Sequence, residues 1–208
     1  MNRSCDLLWE FLHANRTPLM KKFRCPFLLL TALMGASALH GTTVIPPTFD
    51  ELVNQAQVIF QGVVTDVRSQ WVGEGAQRSI VSYVTFKVED VMKGNPGSSY
   101  TMRMLGGTVG DQTMEVTDSP KFKVGNRDIL FVENNGSQFV PLVGIMHGRF
   151  RVEREQASGR EVVMTNEGEP LSNVSQLGKI RQPASATTAL SIDEFKSAIR
   201  TKLTRVPH

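Results

Sequence analysis

The sequence predicts a mainly β fold: an antiparallel barrel or sandwich of about seven short strands, with a short helix before them and an amphipathic helix at the C-terminal end. Three observations carry this. Between Val58 and Met164 apolar residues recur with a period of two. Turn-forming residues, among them Lys93-Gly94-Asn95-Pro96-Gly97, Asn135-Gly136 and Ser158-Gly159, divide that span into strand-length pieces. On either side of it the spacing becomes helical behind a capping-box pattern.

Taken in order, Thr48-x-x-Glu51 opens a short helix whose apolar positions are Phe49, Leu52, Val53 and Ala56. Val58 to Val67 follows as a β-branched strand interrupted by Gly62, which marks a bulge or bend. Ile80, Val84, Phe86 and Val88 alternate with Tyr83, Thr85, Lys87 and Glu89 in a long half-buried strand that ends near Met92. Tyr100, Met102 and Met104 form a third. Ile129-Leu130-Phe131-Val132 is a continuous apolar run, as in a central strand. Asn135-Gly136 then gives the strongest hairpin signal, with Phe139 to Val143 as the returning strand. Phe150 and Val152 alternate with Arg149, Arg151 and Glu153, and Val162-Val163-Met164 completes the set. The stretch 166–190 is polar, contains Pro170 and Pro183, and reads as a linker. A capped helix over 191–205 places Phe195, Ala198, Ile199 and Leu203 on one face, with basic residues at its end. Docking onto the β domain is the expected fate of that face.

The chain has 208 residues, 21% of them charged, with a net charge of +3 and two cysteines. Much of that charge lies in a segment with its own signature. Lys21, Lys22 and Arg24 precede the apolar stretch Pro26–Gly35, and Ala36-Ser37-Ala38 follows: the basic, apolar and small-residue parts of a secretory signal peptide over 20–38, cut after Ala38. Residues 1–19 then read as an upstream extension of the gene model, with Met20 as the true start. Of 23 basic and 20 acidic residues, Arg3, Arg16, Lys21, Lys22, Arg24, Asp6 and Glu10 precede the cut, so 18 of each sign remain. Cys5 and Cys25 are removed as well. The mature chain, with its β domain over 43–165, is thus expected to be exported, neutral as a whole and free of thiols, without disulfides, thiolate metal sites or a Cys nucleophile. No apolar run reaches the ~18 residues of a membrane span, so no stable span is expected after cleavage.

Chemistry-bearing residues are sparse. Of the histidines, His147 is the only one well inside the expected domain; it sits in Gly144-Ile145-Met146-His147-Gly148, a turn between strands. A zinc site needs more ligands of that kind, and no Gly-x-Ser-x-Gly or His-Glu-x-x-His motif occurs. Gly106-Gly107-Thr108-Val109-Gly110-Asp111 follows a strand as a phosphate loop does, but lacks the Gly-Lys-[Ser/Thr] ending and a following helix. It reads as a wide turn, with Asp111 as its charged member. Glu89 and Asp90, adjacent on a strand, are expected on opposite faces and unable to act together. Asp111, Glu115 and Asp118 lack calcium-loop spacing. Arg149, Arg151 and Arg154 are interleaved with Glu153 and Glu155, which argues against nucleic acid as a partner. No cofactor is implied.

The succession Ala56-x-Val58-x-Phe60-x-Gly62-x-Val64, Tyr83-x-Thr85-x-Lys87-Val88-Glu89-Asp90-Val91-Met92-Lys93-Gly94, Gly106-Gly107, Pro120-x-Phe122-x-x-Gly125 and Ile129-Leu130-Phe131-Val132 resembles a group of exported bacterial proteins of unassigned function. Its first two pieces also resemble the netrin-like domain of tissue inhibitors of metalloproteinases. That second resemblance implies an OB-like barrel flanked by helices. It does not extend to the inhibitors' zinc-chelating N-terminal cysteine, because the expected mature chain has none. The expectation from sequence is a periplasmic or secreted, non-enzymatic binding domain. It would contact an exported protein or envelope polymer through barrel loops that include Gly106, Gly107, Asp111 and His147. The alternatives are a hydrolase pairing His147 with a carboxylate such as Asp111, and a protease inhibitor or accessory factor.

Overall fold

Helix α1 (Phe49–Gln55) starts where the sequence places it, because the capping box is formed in full. Thr48 Oγ1 accepts from Glu51 N at 3.2 Å, and the Glu51 carboxylate accepts from Thr48 N at 2.7 Å. At the other end, Lys93 Nζ donates to the carbonyls of Val53 and Asn54, the groups a short helix leaves unpaired. The computed structural model describes residues 45–156, 158–179 and 188–205, all within one unit that runs Thr43–His208. The expected signal peptide, its Ala36 and Ala38, and the upstream extension lie outside the described residues. No described helix is long and apolar enough to cross a membrane.

Strands β1 (Val58–Val72) and β2 (Ser79–Lys93) pair along almost their whole length and are longer than their apolar periodicity alone suggests. β3 (Ser99–Leu105), β6 (Arg127–Val132), β7 (Arg149–Arg154) and β8 (Glu161–Thr165) join them in an antiparallel sheet of order β3-β2-β1-β6-β7-β8. β4 (Gly107–Val109) and β5 (Gln112–Met114) form a separate hairpin. The fold is therefore mainly β, an open six-stranded sheet plus a hairpin, with a short helix before it and a longer one, α2 (Ile192–Thr204), after it.

The sheet has a core on each face. One holds Ile59, Ile129, Phe131, Phe150 and Val163 against Leu52 and Val53 of α1 and Phe195 and Ile199 of α2. The other holds Phe60, Val64, Val84, Phe86, Met102, Leu130 and Val132, with Val140 and Leu142. This explains the unbroken apolar run in β6: alternate side chains enter different cores, and all four are excluded from solvent. α2 docks as its spacing predicts, with the Phe195 ring 4.8 Å from Phe150 and fully buried. Burying such a ring is worth about 1.5–3 kcal/mol.

Four expectations are corrected here. The strands do not close a barrel by continuous pairing, since β3 and β8 are the two ends of the sheet order. The return after β6 is a single bridge, Val132↔Leu142, instead of a strand. Pro141 in this return has no N–H to donate, and Ile145 just beyond it has φ +62°, a conformation incompatible with an extended strand. Arg149, expected on a solvent face opposite Phe150, is buried because both faces of the sheet are covered. Glu89 and Asp90 do not act on opposite sides. The pairing jumps from Gln61↔Asp90 to Gly62↔Val88, leaving Glu89 as the extra residue of a bulge. Both carboxylates then enter one network: Gln61 Nε2 donates to Glu89, Lys196 Nζ to Gln61 Oε1 and to Asp90, and Arg200 to Asp90. Arg127 bridges Glu89 to Glu161. The network ties α2 to the sheet.

Part of the expected linker is packed along β8. Leu171 N donates to Val163 O, Val163 N to Leu190 O, and Leu171 is buried. The outer edge of β8 is thereby covered.

Candidate functional site

A cleft of about 290 Å³ opens where the chain leaves β3, between the β4–β5 hairpin and the loop that returns to β6. Its lining includes Val67, Val84, Met104, Val116 and Phe122, with Ser69 and Ser82 below the hairpin. Thr108, Thr113, Glu115 and Lys121 also line it, and these four are exposed. The residue types are thus apolar side chains and hydroxyls, together with one ion pair, Lys121 Nζ to Glu115 at 2.8 Å. The hydrogen bond and charge of Lys121 hold the Glu115 carboxyl below its ordinary pKa.

Gly106 and Gly107 line this cleft, and sterics account for both. Their φ values are +96° and +136°. A Cβ on Gly107 would lie 2.3 Å from Ser82 Oγ and 2.4 Å from Ser69 Oγ, and one on Gly106 would lie 2.8 Å from Met114 O. The two serines hold the crossing: their hydroxyls are 2.9 Å apart, and Ser82 Oγ donates to Gly106 O at 2.6 Å. The glycine pair thus lets the hairpin backbone lie directly on β1 and β2. No local pattern in the sequence marks Ser69 and Ser82. Their pairing depends on a strand register that appears only when β1 and β2 are aligned.

The loop side of the cleft is held by Arg149. Its Nε and Nη2 donate to Asp128, Nη1 to Lys121 O and Asn166, and Nη2 also to Asn126. Its guanidinium lies 4.3 Å from the Phe122 ring centroid, and that ring meets Phe86 edge-on at 5.5 Å. Burial pushes the Asp128 carboxyl upward, against the pull of the Arg149 charge and hydrogen bond.

Asp111 and His147 do not line the cleft. Asp111 stands exposed at the Gly110-Asp111 turn of the hairpin. His147 lies in the 144–148 turn, whose Gly148 is sterically required: a Cβ there would approach Val143 N at 2.8 Å and Phe131 O at 2.9 Å. Partial burial draws the His147 pKa below its ordinary value, while the charges of Glu167 and Asp118 pull it up. The carboxylates acting on His147 are therefore these two, with Asp111 not among them. Among the described residues, no three His, Cys, Asp or Glu side chains gather as a metal site. No family model, curated protein or solved structure matches the chain.

Proposed function

We propose that the chain is an exported binding module of OB-like build that takes a protein partner at the cleft beneath the β4–β5 hairpin. The OB-like reading rests on the segment 139–143. Leu105 N at the end of β3 donates to Phe139 O at 2.7 Å, and Val143 N donates to Phe131 O of β6 at 3.0 Å. In this reading the segment stands where an OB barrel has its closing strand, bonded to β3 at one end and to β6 at the other beside the Phe60–Leu142 core, while the strand pairing itself stays open. Export rests on the leader over 20–38, as does the absence of thiols from the mature domain.

The observation that carries the binding reading is the cleft's chemistry. Val67, Val116 and Phe122 offer apolar surface to an apolar side chain above a floor of the buried Val84 and Met104, and Thr108, Thr113, Glu115 and Lys121 offer polar groups to the backbone around it. That combination favours a protein over a hydroxyl-rich envelope polymer. A photo-crosslinking residue at Thr108, compared with one at Ser158 in the β7–β8 turn, tests it in cells that export the protein. A protein adduct from position 108 only, lost when Ser119→Trp fills the cleft, is the expected result. No adduct from 108, or one that persists in the filled cleft, rules the reading out.

A further inference from the structure

Asn135 is the one asparagine of the chain followed by glycine, and its side chain does the work of a peptide group. Its Oδ1 accepts from Arg103 N at 3.0 Å, and its Nδ2 donates to Thr101 O at 2.9 Å and to Tyr100 Oη at 3.1 Å. Arg103 N and Thr101 O are backbone groups of β3, whose other side pairs with β2. The carboxamide therefore occupies the edge of β3 as a short strand would, and the Leu105–Phe139 hydrogen bond continues the contact. Together these bonds clasp the 133–143 loop onto β3.

We propose that Asn135–Gly136 is a self-modification site, gated by this clasp, whose reaction releases it. The chemistry needs only water. Gly136 N, after losing its proton to base, attacks Asn135 Cγ. The new N–C bond closes a succinimide, and the bond from Cγ to Nδ2 breaks as ammonia leaves with a proton from water. Water then opens the ring at either carbonyl, giving aspartate or isoaspartate. Both residues are exposed, and the glycine carries no side chain to crowd the attack of its nitrogen on Cγ. What restrains the reaction is the clasp: with Oδ1 and Nδ2 both held on β3, Cγ cannot turn toward Gly136 N.

The product cannot restore the clasp. A carboxylate can accept a hydrogen bond from the Tyr100 hydroxyl, but it has no N–H for Thr101 O and sets a negative charge against that carbonyl. Isoaspartate also adds a methylene to the backbone. Modification thus exposes a strand edge that the unmodified chain keeps covered, and it does so in one direction only.

The test incubates the purified full chain, folded and in urea, at neutral and mildly alkaline pH, and follows Asn135 by peptide mass spectrometry with isoaspartyl methyltransferase labelling. Modification in the folded chain is expected to be roughly fivefold or more slower than in urea, the effect of a modest local opening cost, and to accelerate with pH. Hydrogen exchange on the aged mixture then compares modified and unmodified molecules. Faster exchange at Arg103 and Leu105 in the modified fraction is expected, and Asn135→Ser should reproduce it without the charge. Equal rates folded and in urea, no modification in urea, or unchanged exchange after modification would each overturn the proposal.

Discussion

Arg149 donates from Nε to Asp128 Oδ1 at 2.9 Å in a place where the aspartate has 0% and the arginine 4% of its surface exposed. The pair stands between β6 and β7, and its remaining hydrogen bonds reach Lys121, Asn126 and Asn166. It therefore fixes the loop that walls the cleft as well as the sheet.

Removing one partner leaves the other charge buried and uncompensated. Arg149→Met is expected to cost about 3–5 kcal/mol in urea unfolding. The double variant Asp128→Leu/Arg149→Met, which removes both charges, is expected to recover a large part of that loss. A single-variant cost below ~1 kcal/mol, the range of an exposed pair, would show that the pair does not act as a buried one.

Glycines at positive φ are not equivalent in this chain. At Gly110 an added Cβ meets nothing within 4 Å, so Gly110→Ala should cost only the left-handed backbone penalty of about 1–2 kcal/mol. At Gly107 the Cβ would also collide with both serine hydroxyls. Gly107→Ala is expected to lose about 1–3 kcal/mol more than Gly110→Ala. Ser82→Ala in the same chain should return part of that difference. Thermal melts of the three variants give the comparison.

His147 is expected to titrate below its ordinary pKa of about 6.5, because burial disfavours the imidazolium. The unfolded chain then binds the proton more readily. The resulting stabilisation is fully present above about pH 6.5 and is lost as pH falls toward the folded value. His147→Gln should flatten that part of the stability–pH profile. The imidazole proton shifts in NMR report the pKa directly, and a value above the ordinary one would contradict the assignment.

Asp90 receives Lys196 and Arg200 from α2 at 2.7 Å each. Burial works against its charge, but the hydrogen bonds and charges of those two residues outweigh it and hold the carboxyl below its ordinary pKa. Its contribution is therefore present above about pH 3.9 and is lost as pH falls through the lower folded value. Asp90→Asn should weaken the docking of α2 at neutral pH by up to about 1 kcal/mol and remove that acid dependence. Exchange of the α2 amides is the measurement.

Ser191 caps α2 by accepting from Glu194 N at 3.3 Å, and the Glu194 carboxylate accepts in turn from Ser191 N at 2.8 Å. Ser191→Ala is expected to cost about 1 kcal/mol, with Ser191→Asp close to wild type. An alanine variant as stable as wild type would show that packing of Phe195 and Ile199 alone sets the start of the helix.

The sequence by itself determined the elements. Two capping boxes located both helices, a period of two located the strands of the sheet, and the unbroken Ile129–Val132 run marked the central one. These are local properties, in which a residue's neighbours a few positions away set its conformation. The tertiary structure decided what depends on register and on which faces are covered. The bulge at Glu89 brings two carboxylates into one network. The second core buries Arg149, and the alignment of Ser69 with Ser82 forces the glycine pair. In Asn135-Gly136, the signal of a tight hairpin, the asparagine side chain instead takes the place of a strand on β3, whose outer edge leaves Arg103 N and Thr101 O without a strand partner. No local pattern encodes such partners, since they lie 13 residues or more away in the chain, and folding alone brings them together.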